Sequence, residues 1–161
     1  MSKSFASEEL DNVDRDLLRL LQEDGTLSSA ALGERLAMTV TPCWRRRKRL
    51  EELGIIKDYQ ANLDRRKLGF DVMAFAQVRF DNHSANAPDN FEQVILKLPQ
   101  VLSCHKVTGE ADYLLTVLAT DLESYGRFVE EVLRRQPGIA SIQSSLALRE
   151  VKAVTRIPVT Q

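Results

Sequence analysis

Apolar residues near the start of the chain recur at the spacing of an amphipathic helix. Asp11 is the predicted N-cap of this helix, and Asp14 is expected to return a hydrogen bond to the cap and to favour the positive end of the helix dipole. Asp24-Gly25 ends the pattern. The apolar positions are Val13, Leu17, Leu20 and Leu21.

Two shorter helices are predicted to follow. Ser28 is the expected N-cap of the second helix, and Thr41-Pro42 supplies an N-cap and a first helical residue for the third. Only a short turn at Ala37-Met38 separates these two helices, and Gly54 ends the third. Three helices, of which the last two are joined by a tight turn, are typical of a helix-turn-helix domain.

The pattern changes after a polar segment, 62–70, where we place a hinge. The predicted elements beyond it are a strand at 72–80, a helix at 87–98, strands at 101–107 and 113–119, a helix after the N-cap Asp121, and a strand at 139–148. The order β-α-β-β-α-β is that of a ferredoxin-like fold. The predicted fold class is therefore α+β, with a helix-turn-helix domain at 1–61, a hinge at 62–70 and a ferredoxin-like domain at 71–161.

One face of the predicted sheet lacks a cover. Both helices of a βαββαβ fold pack on the same face, yet the strand at 113–119 is apolar on both of its faces. Met73 and Phe75 add further apolar side chains to the uncovered face. Because a strand that is buried on one side alternates apolar and polar residues, we expect a second copy of the chain to cover this face.

Composition narrows the class of protein. The 161 residues are 43% hydrophobic, which is enough to build cores and excludes a disordered chain. The 22 basic and 23 acidic residues give a net charge of −1, so any attraction to nucleic acid must come from a local cluster. Cys43 and Cys104 form no metal or disulfide pattern. We expect a cytoplasmic protein with no membrane span, because no apolar run approaches the required length.

The predicted third helix carries five consecutive cations, at 45–49. An isolated run of charge is typical of a solvated surface, but the helix after the tight turn is the one that enters the major groove in helix-turn-helix proteins. Double-stranded DNA is therefore the expected partner. The candidate DNA contacts are Thr39, Thr41, Pro42, Trp44, Arg45, Arg46, Lys48 and Arg49.

Position along this helix divides the candidates. Cys43 and Leu50, seven residues apart, are expected to face the other helices, while Arg47 lies close to this inward side with its stem along the core edge. Arginine can bind guanine bases, and lysine more often binds phosphate. Thr39 and Thr41 lie at the start of the helix, where hydroxyls and backbone N–H groups bind phosphate. Trp44 is either a DNA contact or a packing residue.

The chain resembles the Lrp/AsnC family of bacterial and archaeal transcription regulators from about Leu10 to Val159. The resemblance rests on LDNVDRDLLRLLQEDG, TPCWRRRKRLEELGII, VTGEADYLL and ALREVK. It implies a winged or simple helix-turn-helix, a hinge, and a ferredoxin-like (RAM) domain that binds effectors, usually amino acids, and mediates oligomerisation. It also implies homodimers that assemble further, often into octamers, with the effector bound at the contact between dimers.

By position, the resemblance places the effector site at a loop and at the last strand. The residues are Val107, Thr108, Gly109, Glu110, Asp112, Tyr113, Ser144 and Ser145, with Ala111 in the same loop. Glu110 or Asp112 can pair with the ammonium of an amino acid, and backbone N–H groups beside Gly109 can bind its carboxylate. The alternative is a plain hairpin turn between paired strands. No cofactor is expected beyond a small amino-acid effector.

The expected function is that of a sequence-specific DNA-binding transcription regulator whose DNA binding or assembly responds to a small amino acid. The alternative is an effector-independent, DNA-organising protein of the same fold. No enzyme is expected, because no catalytic set can be assembled, and His83 and His105 lack partners at metal-ligand spacing. Relatives often hold Gly at the position of Ala37 and an aliphatic residue at that of Arg47, which leaves the packing of the last two helices open.

Overall fold

The computed structural model describes residues 10–81, 87–153 and 156–159. They form two compact units. The first contains the described residues up to Asn62 together with those from Ala153 onward, and the second runs from Leu63 to Lys152. The C-terminal segment, which the sequence assigns to the ferredoxin-like domain, therefore groups with the helices.

The first unit contains α1 (Asn12–Glu23), α2 (Ser29–Arg35) and α3 (Val40–Glu52). As expected, Asp11 caps α1 by accepting the Asp14 N–H at 2.8 Å, and Ser28 caps α2 by accepting the Ala31 N–H at 3.1 Å. The three helices enclose a small apolar core made of Leu17, Leu18, Leu21, Leu27, Leu32, Cys43 and Leu50. The predicted helix-turn-helix arrangement is confirmed.

The third helix begins two residues earlier than predicted. Its N-cap is Thr39 rather than Thr41, and Pro42 is its third residue rather than its first. Pro42 disrupts no helical hydrogen bond there, because the N–H groups of the first turn have no acceptor within the helix. The first helical hydrogen bond runs from the Cys43 N–H to the Thr39 carbonyl. Thr39 makes no side-chain capping bond.

The C-terminal segment is tied to α1 by hydrogen bonds. An Arg19 side-chain N–H donates to the Val159 carbonyl at 2.8 Å. The Gln22 amide donates to the Ile157 carbonyl at 3.0 Å and accepts the Ile157 N–H at 2.6 Å. These hydrogen bonds involve backbone groups of the C-terminal segment, so they do not depend on the side chains that the segment carries. The pattern of apolar and polar residues therefore could not predict that the segment belongs to the first unit.

The second unit contains the predicted β-α-β-β-α-β order. Its elements are β1 (Val72–Phe80), α4 (Ala87–Ile95), β2 (Val101–Lys106), β3 (Tyr113–Ala119), α5 (Leu122–Phe128), continued by a π-helical turn at Val129–Leu133, and β4 (Ile139–Leu146). The sheet order is β2-β3-β1-β4 with every neighbouring pair antiparallel. The ferredoxin-like fold is confirmed, although α4 and β4 end before the predicted Leu98 and Leu148.

The core of the second unit lies on one face of the sheet. Ala74, Ala76 and Val78 of β1 are fully buried there, and β3 alternates between buried and half-buried residues along its whole length. The rings of Phe80, Phe91 and Tyr113 meet at centroid distances between 5.1 and 5.9 Å. Among the described residues of the second unit, no helix covers the opposite face, which carries Met73, Phe75, Leu114 and Leu118.

Candidate nucleic-acid interface and effector loop

Helix α3 presents two different sides. Cys43 and Leu50 are fully buried against α1 and α2, as their spacing predicts, and burial raises the pKa of the Cys43 thiol. The outer side carries Trp44, Arg45 and Lys48, and Trp44 is 49% exposed with the Lys48 ammonium 5.1 Å from its ring centroid. The alternative that Trp44 is a core packing residue is therefore not supported. Leu53, which follows the last residue of α3, is half exposed.

A buried carboxylate joins α1 to α3. Asp14 is fully buried. The sequence predicts that its side chain returns a hydrogen bond to the cap residue Asp11, but the structure does not show this bond. Instead, its Oδ1 lies 2.9 Å from Nη1 of Arg46, and its Oδ2 lies 2.5 Å from Nη2 of Arg49. The same Arg46 atom lies 2.6 Å from Oδ2 of Asp11. Two of the five cations of α3 are thus paired within the domain.

These contacts change the titration of the groups. Hydrogen bonds from Arg46 to Asp14 and then to Asp11 raise the pKa of the guanidinium. The Asp14 backbone N–H, and then the Arg46 guanidinium, lower the pKa of the Asp11 carboxyl. Both shifts favour the charged forms of Arg46 and Asp11, as expected for an ion pair.

Arg47 points inward, as predicted. One Nη donates to the Leu27 carbonyl at 3.0 Å, and Nε donates to the Tyr59 hydroxyl at 2.9 Å and to Glu51 at 3.1 Å. The Tyr59 hydroxyl in turn donates to Glu51 at 2.7 Å and lowers the pKa of that carboxyl. Arg47 therefore fastens the segment after α3 to the helices, and its charge is directed away from the exposed side.

The two remaining cations of the run are only weakly restrained. Lys48 lies 3.8 Å from Glu52, an exposed pair of the kind that contributes little energy. Arg45 has no hydrogen bond or ion pair within the described residues. It lines an open depression of about 500 Å³ together with Asp11, Thr41, Pro42, Arg46 and Arg49. This depression brings five residues of α3 and the N-cap residue of α1 to one surface.

The start of α3 exposes backbone donors. Thr39, Thr41 and Pro42 are all exposed, and no side chain caps the first turn. Pro42 has no N–H, and the Cys43 N–H is bonded to the Thr39 carbonyl. In the described part of the chain, the Val40 and Thr41 N–H groups therefore remain to bind an anion, where the helix dipole adds a favourable field. Of the sequence-predicted DNA contacts, five line one depression, namely Thr41, Pro42, Arg45, Arg46 and Arg49. Arg46 and Arg49 differ from the rest in being paired with Asp14.

The predicted effector loop lies between β2 and β3. The Val107 N–H donates to the Asp112 carbonyl at 2.9 Å, and the Asp112 N–H donates to the Val78 carbonyl at 2.9 Å. The Asp112 carboxylate accepts the Phe80 N–H at 2.7 Å. Asp112 therefore holds the loop against β1. Thr108, Gly109 and Glu110 remain exposed, and Gly109 has a φ of 118°, which favours glycine.

The other predicted effector residues lie on different faces of the sheet. Tyr113 is buried on the helix-covered face, where its hydroxyl donates to Glu92, and burial followed by this contact raises its pKa strongly. Ser144 accepts the Tyr125 hydroxyl at 2.6 Å on that same face. Ser145 pairs with Phe75 on the open face. Neighbouring residues on a strand point to opposite sides, so Ser144 and Ser145 do not share one surface.

Sequence reasoning missed a cation beside the loop. Arg79 is the one charged residue within β1, and its Nε donates to the Ser141 hydroxyl at 3.2 Å. It lines an open depression of about 370 Å³ with Phe80, Asp81, Gly109, Glu110, Asp112 and Ala140. Its isolation in an otherwise uncharged strand was the available signal. The depression therefore brings a cation of β1 together with Glu110 and Gly109 of the loop.

The described residues form neither a metal-ligand cluster nor a membrane-spanning helix. Within residues 10–81, 87–153 and 156–159 there is no group of three potential metal ligands, and His83 falls outside those ranges. No helix in the same ranges combines the length and apolar character needed to cross a bilayer. Cys104 is half-buried against the core, and burial raises its pKa.

Two protein families match the chain. Residues 10–57 match a winged helix-turn-helix DNA-binding family, and residues 73–157 match the Lrp/AsnC ligand binding domain. No strand of a wing is formed in the described part of the first unit. The two matches correspond to the two units of the structure and to the expectation drawn from the sequence motifs.

Similar proteins cover nearly the whole chain. The DNA-binding transcriptional activator DecR of Escherichia coli is 39% identical over 93% of this chain and 99% of its own. The leucine-responsive regulatory protein of the same species is 35% identical over 97% of this chain and 95% of its own. A transcriptional regulator from Neisseria meningitidis, solved with L-methionine, superposes with a TM-score of 0.91 at 38% identity, covering 94% and 97%. The chain therefore belongs to the Lrp/AsnC family of transcription regulators.

Proposed function

We propose that this regulator binds specific sequences in double-stranded DNA and that a small amino acid changes its DNA binding or its assembly. The observation that carries the DNA-binding part is the outer side of α3. There, Trp44, Arg45 and Lys48 are exposed on the helix that follows the tight turn, beside a first turn whose N–H groups have no cap. This is the helix that enters the major groove in proteins of this architecture.

The side chains suggest a division of roles. Arg45 has the geometry to bind guanine O6 and N7 with both of its terminal groups, and Lys48 reaches phosphate. Thr39 and Thr41, with the free N–H groups of the first turn, bind the adjacent backbone. Pro42 fixes the backbone at the start of the helix, and Trp44 contributes apolar contact in the groove. The cytoplasm is the proposed location, because the target is chromosomal DNA.

The chemistry beside the loop at 107–113 fits a zwitterion. Arg79 supplies a guanidinium for a carboxylate, and Glu110 supplies a carboxylate for an ammonium, and both residues line one depression. The N–H groups next to Gly109 are further donors, because the loop is exposed and glycine has no side chain to cover the backbone. The L-methionine bound by the Neisseria relative supports an amino acid as the class of effector.

The open face of the sheet supports a homodimer. Phe75 is 37% exposed there, and Leu114 and Leu118 lie half-buried beside it. Packing this apolar patch against the identical patch of a second copy removes both from water. The hydrogen bonds between the strands of each sheet stay intact. We propose further assembly of the dimers, with an octamer as the expected product, and that effector binding shifts the populations of these assemblies.

The test begins with DNA selection from a fragmented bacterial genome by the purified full chain. The selected fragments are then titrated by fluorescence anisotropy against shuffled DNA of the same composition. A specific regulator binds its selected fragments at least a hundredfold more tightly than the shuffled DNA. Equal affinity for both contradicts sequence specificity and favours a DNA-organising protein.

The effector is tested by a thermal-shift panel of the twenty amino acids. A ligand present at 100 times its dissociation constant adds about 2.7 kcal/mol to the folded state, so a true effector raises the melting temperature clearly. The amino acid that does so is then added to the DNA titration and to sedimentation velocity. An effector that changes neither DNA affinity nor assembly contradicts the proposed regulation.

A further inference from the structure

We propose that Asp14 is a positioning residue for DNA recognition: it withholds Arg46 and Arg49 from the DNA backbone and leaves Arg45 as the reading cation of α3. This rests on the DNA binding proposed above. The buried carboxylate uses both of its oxygens, one for each arginine, at 2.9 and 2.5 Å. Asp11 adds a second acidic partner for Arg46. Two carboxylates thus balance two guanidiniums on the side of α3 that faces α1.

The ion pairs survive the approach of DNA because of where Asp14 lies. Its side chain is fully buried, whereas 31% of the Arg46 side chain and 45% of the Arg49 side chain are exposed. Releasing either arginine to an exposed phosphate would leave a buried carboxylate partly unpaired, which costs more than a solvated contact with phosphate returns. The arginines therefore stay with Asp14.

The other three cations at 45–49 differ in whether they have partners within the chain. Arg47 is held by Glu51, Tyr59 and the Leu27 carbonyl. Lys48 has an exposed pair with Glu52 and lies over the exposed Trp44 ring, and Arg45 has no ionic partner in the described parts of the chain. Of the five cations at 45–49, Arg45 and Lys48 are therefore the two whose charge is available to DNA.

This arrangement favours specificity over affinity. Each phosphate that a protein neutralises steepens the dependence of log affinity on log salt by about 0.9 and strengthens binding to every sequence alike. Holding three cations in internal pairs keeps this non-specific part small. Base contacts made by Arg45 then contribute a larger share of the total, so the ratio of specific to non-specific affinity rises.

The direct test is Asp14→Asn, with Asp16→Asn as its matched control. Asp16 lies on the same helix and loses the same charge, but it pairs with Arg19 and has no hydrogen bond or ion pair with α3 among the described residues. Affinities for a selected fragment and for shuffled DNA are measured between about 50 and 200 mM salt. We expect D14N, relative to D16N, to bind shuffled DNA at least tenfold more tightly, to steepen the salt slope by about 1 to 2 per helix, and to lose specificity. Equal slopes for the two variants would overturn the inference.

Two further variants keep the test decisive if D14N does not fold. Lys48→Gln is expected to flatten the salt slope by about 0.9 per helix, whereas Arg49→Gln leaves the slope within about 0.3 of the wild-type value. A loss in R49Q as large as that in K48Q would mean that Arg49 reaches phosphate, and the inference fails. If the wild-type protein itself shows no DNA binding at low salt, the proposed function fails first and takes the inference with it.

Discussion

The carbonyl oxygen of Met38 occupies the space that a side chain on Gly33 would need. A Cβ built at Gly33 lies 2.7 Å from that oxygen, closer than such contacts occur, and the Met38 N–H also donates to the Gly33 carbonyl at 2.9 Å. The turn between α2 and α3 therefore crosses directly over Gly33. This contact, rather than any property of α2 itself, explains a glycine inside a helix.

Gly33→Ala is expected to destabilise the protein by roughly 1–3 kcal/mol, because the turn must move away from the added methyl group. Helix propensity alone predicts the opposite sign, since alanine is favoured over glycine by about 1 kcal/mol. Gly126→Ala in α5 is the control, because a Cβ there meets no atom within 4 Å. Urea denaturation monitored by circular dichroism separates the two, and a stabilised G33A would contradict the close approach.

Ala37→Gly is expected to stabilise the protein by about 0.5–1 kcal/mol. Ala37 has a φ of 51°, a left-handed conformation that costs about 1–2 kcal/mol for residues other than glycine, partly offset by the greater freedom of glycine in the unfolded chain. Ala30→Gly, at an exposed position inside α2, serves as the control and should destabilise by up to about 1 kcal/mol. If both variants lose stability equally, the strain at Ala37 is not relieved by glycine.

Local features of the fold were predictable from the sequence because their partners lie within a few residues. The caps Asp11, Ser28 and Asp121 each accept an N–H three residues ahead, and β3 begins at Tyr113 and ends at Ala119 as expected. The start of α3 was placed two residues late, since Thr39 and Thr41 are equally good caps by type. What decides between them is the crossing of the turn over Gly33, a contact that sequence patterns do not contain.

The candidate sites were predictable in place but not in detail. The exposed side of α3 follows from helical spacing, but the pairing of Asp14 with Arg46 and Arg49 joins residues that are 32 and 35 positions apart. The separation of Ser144 from Ser145 follows from the alternation of a strand, yet which face each takes depends on the register of β4 against β1. Long-range pairing therefore decides the residue roles within a fold that local patterns already predict.

Tyr59→Phe is expected to cost about 0.5–1.5 kcal/mol at pH 7, because the Tyr59 hydroxyl bridges Arg47 and Glu51. Tyr59 and Glu51 are both partly exposed, and solvent weakens the interaction between them, so a value at the lower end of that range is expected. The hydroxyl lowers the pKa of Glu51 below its usual 4.5, so its contribution is fully present above pH 4.5 and is lost as the pH falls through the folded pKa.

The check on Tyr59 is urea denaturation of wild type and variant at pH 7 and at several values below 4.5. The difference in free energy of unfolding should shrink in acid, and Glu51→Gln should remove most of the effect of Y59F in the double variant. A difference that stays constant with pH would mean that the hydroxyl stabilises the segment without acting through Glu51.

Phe75→Glu is expected to shift the protein to smaller assemblies at micromolar concentration. The open face of the sheet would carry a charge where Phe75 now packs beside Leu114 and Leu118, and burying that charge against a second copy is unfavourable. Leu122→Glu is the control, because Leu122 is 61% exposed at the start of α5, on the helix-covered face. Sedimentation velocity measures both. Assembly that is unchanged in F75E, or equally lost in L122E, would place the dimer contact elsewhere.

Arg79→Gln is expected to weaken the binding of an amino-acid effector by about tenfold or more. A hydrogen bond between charged groups contributes about 1.5–3 kcal/mol, and every 1.4 kcal/mol is a factor of ten in affinity. The amino acid with the largest thermal shift is titrated by calorimetry beside its carboxamide, which keeps the ammonium and lacks the carboxylate. R79Q should reduce binding of the acid and leave the weak binding of the amide unchanged. Arg127→Gln, an exposed pair with Glu123 on α5, controls for loss of charge. Equal losses for acid and amide would show that Arg79 supports the fold of the depression rather than binding the carboxylate.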